Sequence, residues 1–100
     1  MKKIIDFDEL ENLKKKLLKT NKKIVLCHGT FDLIHIGHLK HFNSAKKYGD
    51  ILIVGITSDK FVYKGPGRPI FAEKNRALYL ASFEVIDYVV INDFITSINL

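Results

Sequence analysis

The sequence predicts an α/β domain in three layers, with a parallel sheet between helices. Two observations lead there. Three short apolar runs, beginning near Ile24, Ile51 and Tyr88, are too continuous for strands with one wet face and suit buried parallel strands. The segments between them carry apolar residues at helical spacing, giving the order β-α-β-α-β. The 100 residues, 47% hydrophobic and 27% charged, are the length and balance of one globular domain. Such a chain buries somewhat over ~60% of its unfolded surface.

The elements follow in order. Asp6 or Asp8 can cap a helix over about 8–19, in which Leu10, Leu13, Leu17 and Leu18 recur at helical spacing and Thr20-Asn21 ends the pattern. Residues 1–22 are read as an N-terminal amphipathic helix segment and residues 23–100 as the main domain. Lys23-Ile24-Val25-Leu26-Cys27-His28 is the first strand, closed by Gly29. A helix over about 36–48 ends at Tyr48-Gly49, with Gly49 where a left-handed cap belongs. Ile51-Leu52-Ile53-Val54-Gly55-Ile56 is the second strand. Lys64-Gly65-Pro66-Gly67-Arg68-Pro69 holds both prolines and breaks both periodicities, so it reads as a loop. Glu73 to Phe83 returns to helical spacing, and Tyr88-Val89-Val90-Ile91 is the third strand. The doubly wound rule puts the first strand between the other two, with a ligand site beyond its carboxyl end at Gly29. It also leaves one edge of Tyr88–Ile91 open, to be covered by a second copy or by further chain.

Charge narrows the partners. The net charge is 16 − 11 = +5, but eight lysines against four acids fall in residues 1–23 and eight basic residues against three acids in 40–76. Lys14, Lys15, Lys16 and Lys19 read as the solvated face of a helix, so no nucleic-acid partner is expected. No apolar stretch approaches the ~18 residues of a membrane span. Residues 1–6 run into charge too early for a secretory signal, and the single Cys27 suits a reducing compartment. A cytoplasmic location away from the membrane is the expectation.

Gly29-Thr30-Phe31-Asp32-Leu33-Ile34-His35-Ile36-Gly37-His38 stands where the first strand gives way to a helix. Gly29 lets the chain turn closely past a ligand, and Gly37 keeps a side chain away from backbone N–H groups at the helix start. The positive helix end favours phosphate. His35 and His38 project from neighbouring positions on one helical face and can each donate to phosphate oxygens. His41 is rotated about 120° from His35 on a helix, so one zinc ion does not readily take all three imidazoles, and no metal-ligating residue is assigned.

With these residues the sequence resembles the cytidylyltransferase-like nucleotidyltransferases, whose His-x-Gly-His signature stands here as His35-Ile36-Gly37-His38. Gly29-Thr30-Phe31-Asp32, Ala45-Lys46-Lys47-Tyr48-Gly49-Asp50, Ser58-Asp59, Glu73-Lys74-Asn75-Arg76 and Val85-Ile86-Asp87-Tyr88-Val89 extend the likeness over about residues 24–93. The resemblance implies a Rossmann-like fold and transfer of a nucleoside monophosphate from a nucleoside triphosphate to a phosphorylated small molecule, releasing pyrophosphate. It implies His35, His38, Lys64 and Arg76 as catalytic residues. Nucleotide contacts fall to Gly29, Thr30, Phe31, Gly37 and Lys46 besides the two histidines, with Phe31 acting through its backbone. Lys46 either adds phosphate charge or covers the helix surface. Lys64 and Arg68 would close over the phosphates or the acceptor, and Mg2+ is expected with the triphosphate.

The proline-rich loop and Glu84 look most like the nucleotidyltransferase half of ADP-heptose synthases, which favours ATP and a heptose 1-phosphate-like acceptor. A glycerol-3-phosphate-type cytidylyltransferase and a non-catalytic nucleotide-binding or assembly module are the alternatives. The family's later Ile-Ser-Thr-[Ser/Thr] segment has no counterpart before Leu100, so the sequence reads as a C-terminally incomplete domain with nucleotide binding but weak turnover.

Overall fold

The central strand, Ile51–Thr57, is the most buried, with Leu52, Ile53, Val54 and Ile56 at 0% exposure, as expected of a parallel strand covered on both faces. The computed structural model describes residues 3–29, 31, 36–57 and 72–92. Their order is β1 (Ile4–Ile5), α1 (Phe7–Leu18), β2 (Ile24–Gly29), α2 (Ile36–Lys46), β3 (Ile51–Thr57), α3 (Glu73–Ala81) and β4 (Tyr88–Asn92). All strand pairs are parallel, and the sheet order is β1-β4-β3-β2. The fold is Rossmann-like α/β, as the sequence predicts.

Asp6 is the cap of α1. Its carboxylate accepts the Glu9 N–H at 2.7 Å while the Glu9 carboxylate accepts the Asp6 N–H at 3.2 Å, a reciprocal capping box. The helix ends where Thr20 N–H donates to the Leu17 carbonyl at 3.0 Å and Asn21 turns left-handed at φ 56. Leu10 is the fully buried residue of α1, worth ~1.5–3 kcal/mol of apolar transfer, whereas Leu18 of the predicted stripe is exposed.

Side chains alternate across the sheet and so define its two cores. Leu52, Val54, Ile56, Val89 and Cys27 face α2 and α3, meeting Phe42, Ala77 and Leu80. Ile53, Val90 and Ile5 face α1 and meet Leu10, with Ile24 and Leu26 packed alongside. Layering follows from handedness. The two steps β2 to β3 and β3 to β4 go the same way across the sheet, so right-handed crossovers put α2 and α3 on one face. The step from β1 to β2 goes the other way and puts α1 on the opposite face.

Three expectations need correction. Among the described residues β2 lies at the edge of the sheet, and β3, not β2, occupies an interior position between β2 and β4. The winding turns back at β2, a turn visible only because β1, a two-residue strand too short to show periodicity, lies at the opposite edge. Accordingly β4 has a neighbour on each side: β3 on one and β1 on the other, where Ile4 lies opposite Val89 and Ile5 opposite Val90. Third, Gly49 is not left-handed. Its requirement is space, because a Cβ there would stand 2.6 Å from Val25 Cγ2 and 2.8 Å from the Lys23 carbonyl oxygen. That carbonyl accepts the N–H of Asp50 at 2.7 Å and of Ile51 at 3.1 Å, which draws the chain after α2 tightly against the start of β2.

Candidate functional site

Parallel strands all end on one side, and here that side carries the turn from β2 into α2. Gly29 closes β2 opposite Ile56, and α2 begins at Ile36 with Gly37 and His38 in its first turn. The start of a helix carries partial positive charge, which favours an anion. Gly37 is exposed there and His38 half-buried.

Phe31 organises the turn. Its backbone is left-handed at φ 51, an outlier for an aromatic residue that costs ~1–3 kcal/mol. Burial of the ring offsets this: at 9% exposure it gains ~1.5–3 kcal/mol from transfer alone. Its ring centroid lies 5.3 Å from that of His38, edge to face at 74°, and 5.5 Å from that of Phe42. The same ring covers Gly29, where a Cβ would come within 2.9 Å of Phe31 Cζ. A side chain at position 29 would therefore force the Phe31 ring to shift.

Arg76 sits in the first turn of α3. This helix runs from the end of β3 back toward the start of β4, so its first turn is at the same end of the sheet as Gly29. The guanidinium side chain is enclosed at 1% exposure, beside buried Ala77 and Leu80. Helix α2 packs over β2 and β3, and α3 over β3, β4 and β1. Thr30, His35, Lys64 and Arg68, with Asp32 and Asp59, lie outside the described residues.

Lys46 is at the other end. Its ammonium pairs with the Asp87 carboxylate and donates to the Asp50 carbonyl at 2.8 Å. The same Asp87 oxygen accepts the Leu52 N–H at 2.7 Å, and Asp87 N–H donates to the Leu52 carbonyl at 3.0 Å. Leu52 is near the start of β3, whereas Ile56 pairs with Gly29 near its end, a rise of about 13 Å along the strand. At that end Lys46 is engaged in contacts between elements. It clasps the end of α2 to the starts of β3 and β4.

The remaining histidines fall outside the site. His28 projects to the α1 side with Ile24 and Leu26, surface-exposed yet shielded enough that desolvation holds its pKa below the usual imidazole range. His41 Nε2 stands 3.7 Å from Cys27 Sγ, and burial pushes that thiol's pKa up, so it remains protonated at neutral pH. Sequence reasoning overlooked the Phe31 ring. The signal was the apolar, aromatic spacing of Phe31, His38 and Phe42 around a glycine.

The family described as Cytidylyltransferase-like matches residues 26–99, from β2 through all later elements. The chain belongs to this family. It is 50% identical over 90 residues to the Bifunctional protein HldE of a Nitratiruptor species, covering 88% of this chain and 20% of the relative. The Bifunctional protein HldE of Campylobacter jejuni subsp. jejuni serotype O:2 is 44% identical over 102 residues, covering 96% of this chain and 22% of that protein. The chain thus spans about a fifth of the length of these relatives. Among solved structures, the lipopolysaccharide core biosynthesis protein from Thermoplasma volcanium superimposes with a TM-score of 0.65 at 30% identity, covering 73% of this chain and 60% of that one. No helix among the described residues is long and apolar enough to cross a membrane.

Proposed function

We propose that the chain transfers a nucleoside monophosphate from ATP to a phosphorylated sugar, a heptose 1-phosphate-like acceptor, with release of pyrophosphate. The observation that carries this reading is the opening of α2 beside Gly29, with Gly37 and His38 in its first turn, in a nucleotidyltransferase-family chain. The 44–50% identity to proteins named Bifunctional protein HldE supports the sugar phosphate over other acceptors.

The acceptor phosphate oxygen is already anionic, so no general base has to create the nucleophile. It attacks the α-phosphorus. A new P–O bond forms, the bond from the α-phosphorus to the bridging oxygen breaks, and pyrophosphate leaves with the electron pair. The enzyme's part is positioning and charge stabilisation. The N–H groups of α2 and the imidazoles of His35 and His38 receive the triphosphate. Lys64 and Arg76 stabilise charge on the transferring and departing phosphates, and Arg68 joins Lys64 in holding the acceptor. Mg2+ would accompany the triphosphate and offset its charge, and no step is assigned to it. Nucleoside triphosphates and a protonated, buried thiol both suit the cytoplasm.

The test is binding of ATP against CTP by calorimetry, followed by pyrophosphate release with heptose 1-phosphate, other sugar 1-phosphates and glycerol 3-phosphate. Preference for ATP and turnover with a sugar 1-phosphate are expected. Preference for CTP with glycerol 3-phosphate would replace this reading by the polyol cytidylyltransferase. Nucleotide binding without pyrophosphate release from any acceptor would make the chain a binding module.

A further inference from the structure

A left-handed backbone suits glycine or asparagine, and an aromatic residue there is kept only when its surroundings demand that side chain. At Phe31 the demand comes from three directions. The ring lies over Gly29 at the end of β2, against Phe42 in the core and beside His38 in the first turn of α2. One side chain thus joins the strand end, the turn and the helix start. An imidazole on a helix has several staggered orientations, and an aromatic wall beside it removes some of them.

We infer that the Phe31 ring is a positioning residue that fixes the orientation of the His38 imidazole at the opening of α2, and that the left-handed backbone at Phe31 is what directs the ring there. The phosphate role of His38 rests on the proposed nucleotidyl transfer, whereas the orientation of its ring does not. Phe31 would act without touching nucleotide through its side chain. Its loss should lower kcat with little change in KM, because a misaligned donor fails chiefly in the transition state.

The experiment compares Phe31→Leu, Gly29→Ala and Phe83→Leu in the full chain, by NMR of the His38 ring protons and by pyrophosphate release from ATP. Phe31→Leu keeps apolar volume and removes the aromatic ring beside His38. Gly29→Ala keeps the ring but places a methyl within 2.9 Å of it, so the ring must move. Phe83 meets Phe42 at 6.1 Å and Tyr79 at 5.8 Å without meeting His38, so Phe83→Leu reports loss of an aromatic from the same core. Expected are displaced His38 resonances in the first two variants and unchanged ones in the third. Phe31→Leu should also lose about ten- to hundredfold in kcat with KM for ATP within about threefold. Gly29→Ala decides the matter alone if Phe31→Leu does not fold. His38 resonances unmoved in the folded variants at positions 29 and 31, or moved equally by Phe83→Leu, would overturn the inference. Failure of the unaltered chain to bind ATP or CTP overturns the nucleotide reading instead, while the His38 resonances still judge the contact.

Discussion

Replacing Lys46 by methionine separates a clasp from a phosphate ligand. In the structure its ammonium bridges the Asp87 carboxylate and the Asp50 carbonyl, and the two ionic side chains are 31% and 26% exposed. A pair so placed contributes about 0.5–1 kcal/mol, since solvent screens part of it. Asp87→Ala should cost more. It strips the acceptor from the Leu52 N–H, a backbone donor on a residue with 0% exposure, and leaving such a group unsatisfied costs about 1–3 kcal/mol. The total for Asp87→Ala is then about 1.5–4 kcal/mol, against about 0.5–1 kcal/mol for Lys46→Met. In a domain of this size each kcal/mol lowers Tm by about 4–8 °C. Urea denaturation at constant m provides the stability scale, and ATP calorimetry on the folded variants provides the function scale. The expected result is a lower midpoint for both variants, ordered Asp87→Ala below Lys46→Met, with the ATP Kd unchanged. An unchanged midpoint in Lys46→Met together with an ATP Kd weakened about tenfold, some 1.4 kcal/mol, would refute the clasp and restore Lys46 as a phosphate ligand.

Gly49→Ala should destabilise by about 1–3 kcal/mol in urea, because the Lys23 carbonyl that its methyl meets belongs to the backbone and cannot rotate away; a neutral result would disprove the close approach. His38→Ala should lower pyrophosphate release about 10²–10³-fold with the fold intact, and His28→Ala, on the other face of the sheet, far less. Equal losses from the two would misplace the site. The two shifted groups predict pH dependence of opposite sign. The folded pKa of His28 is below its unfolded value of 6.5, so the unfolded chain takes up the proton first and stability falls as pH drops through 6.5; His28→Gln should flatten that limb in acid denaturation. The folded pKa of Cys27 is above its unfolded value of 9.0, so the unfolded chain loses its proton first and stability falls as pH rises past 9.0; Cys27→Ser should flatten the alkaline limb.

Local chemistry made much of this protein legible from its sequence. The runs at Ile24, Ile51 and Tyr88 are strands because continuous β-branched and apolar residues have no wet face to offer, and that property belongs to the run itself. Asp6 and Glu9 specify the start of α1 through bonds spanning three residues. The start of α2 just after the first strand was likewise readable, since a helix start needs only short-range geometry. Strand order was not readable. Ile4–Ile5 acquires its identity as a strand from Val89 and Val90, more than eighty residues away, and without it nothing shows where the sheet reverses. Separation in sequence likewise hid the pairing of Lys46 with Asp87, 41 residues apart, which makes that lysine a clasp. Two glycines show the division most plainly: their positions suggested turns, but what each excludes is a side chain or carbonyl brought there by folding. Periodicity and capping are properties of neighbours in the chain, whereas which edge a strand takes and what an ammonium pairs with depend on contacts that exist only after the layers have closed.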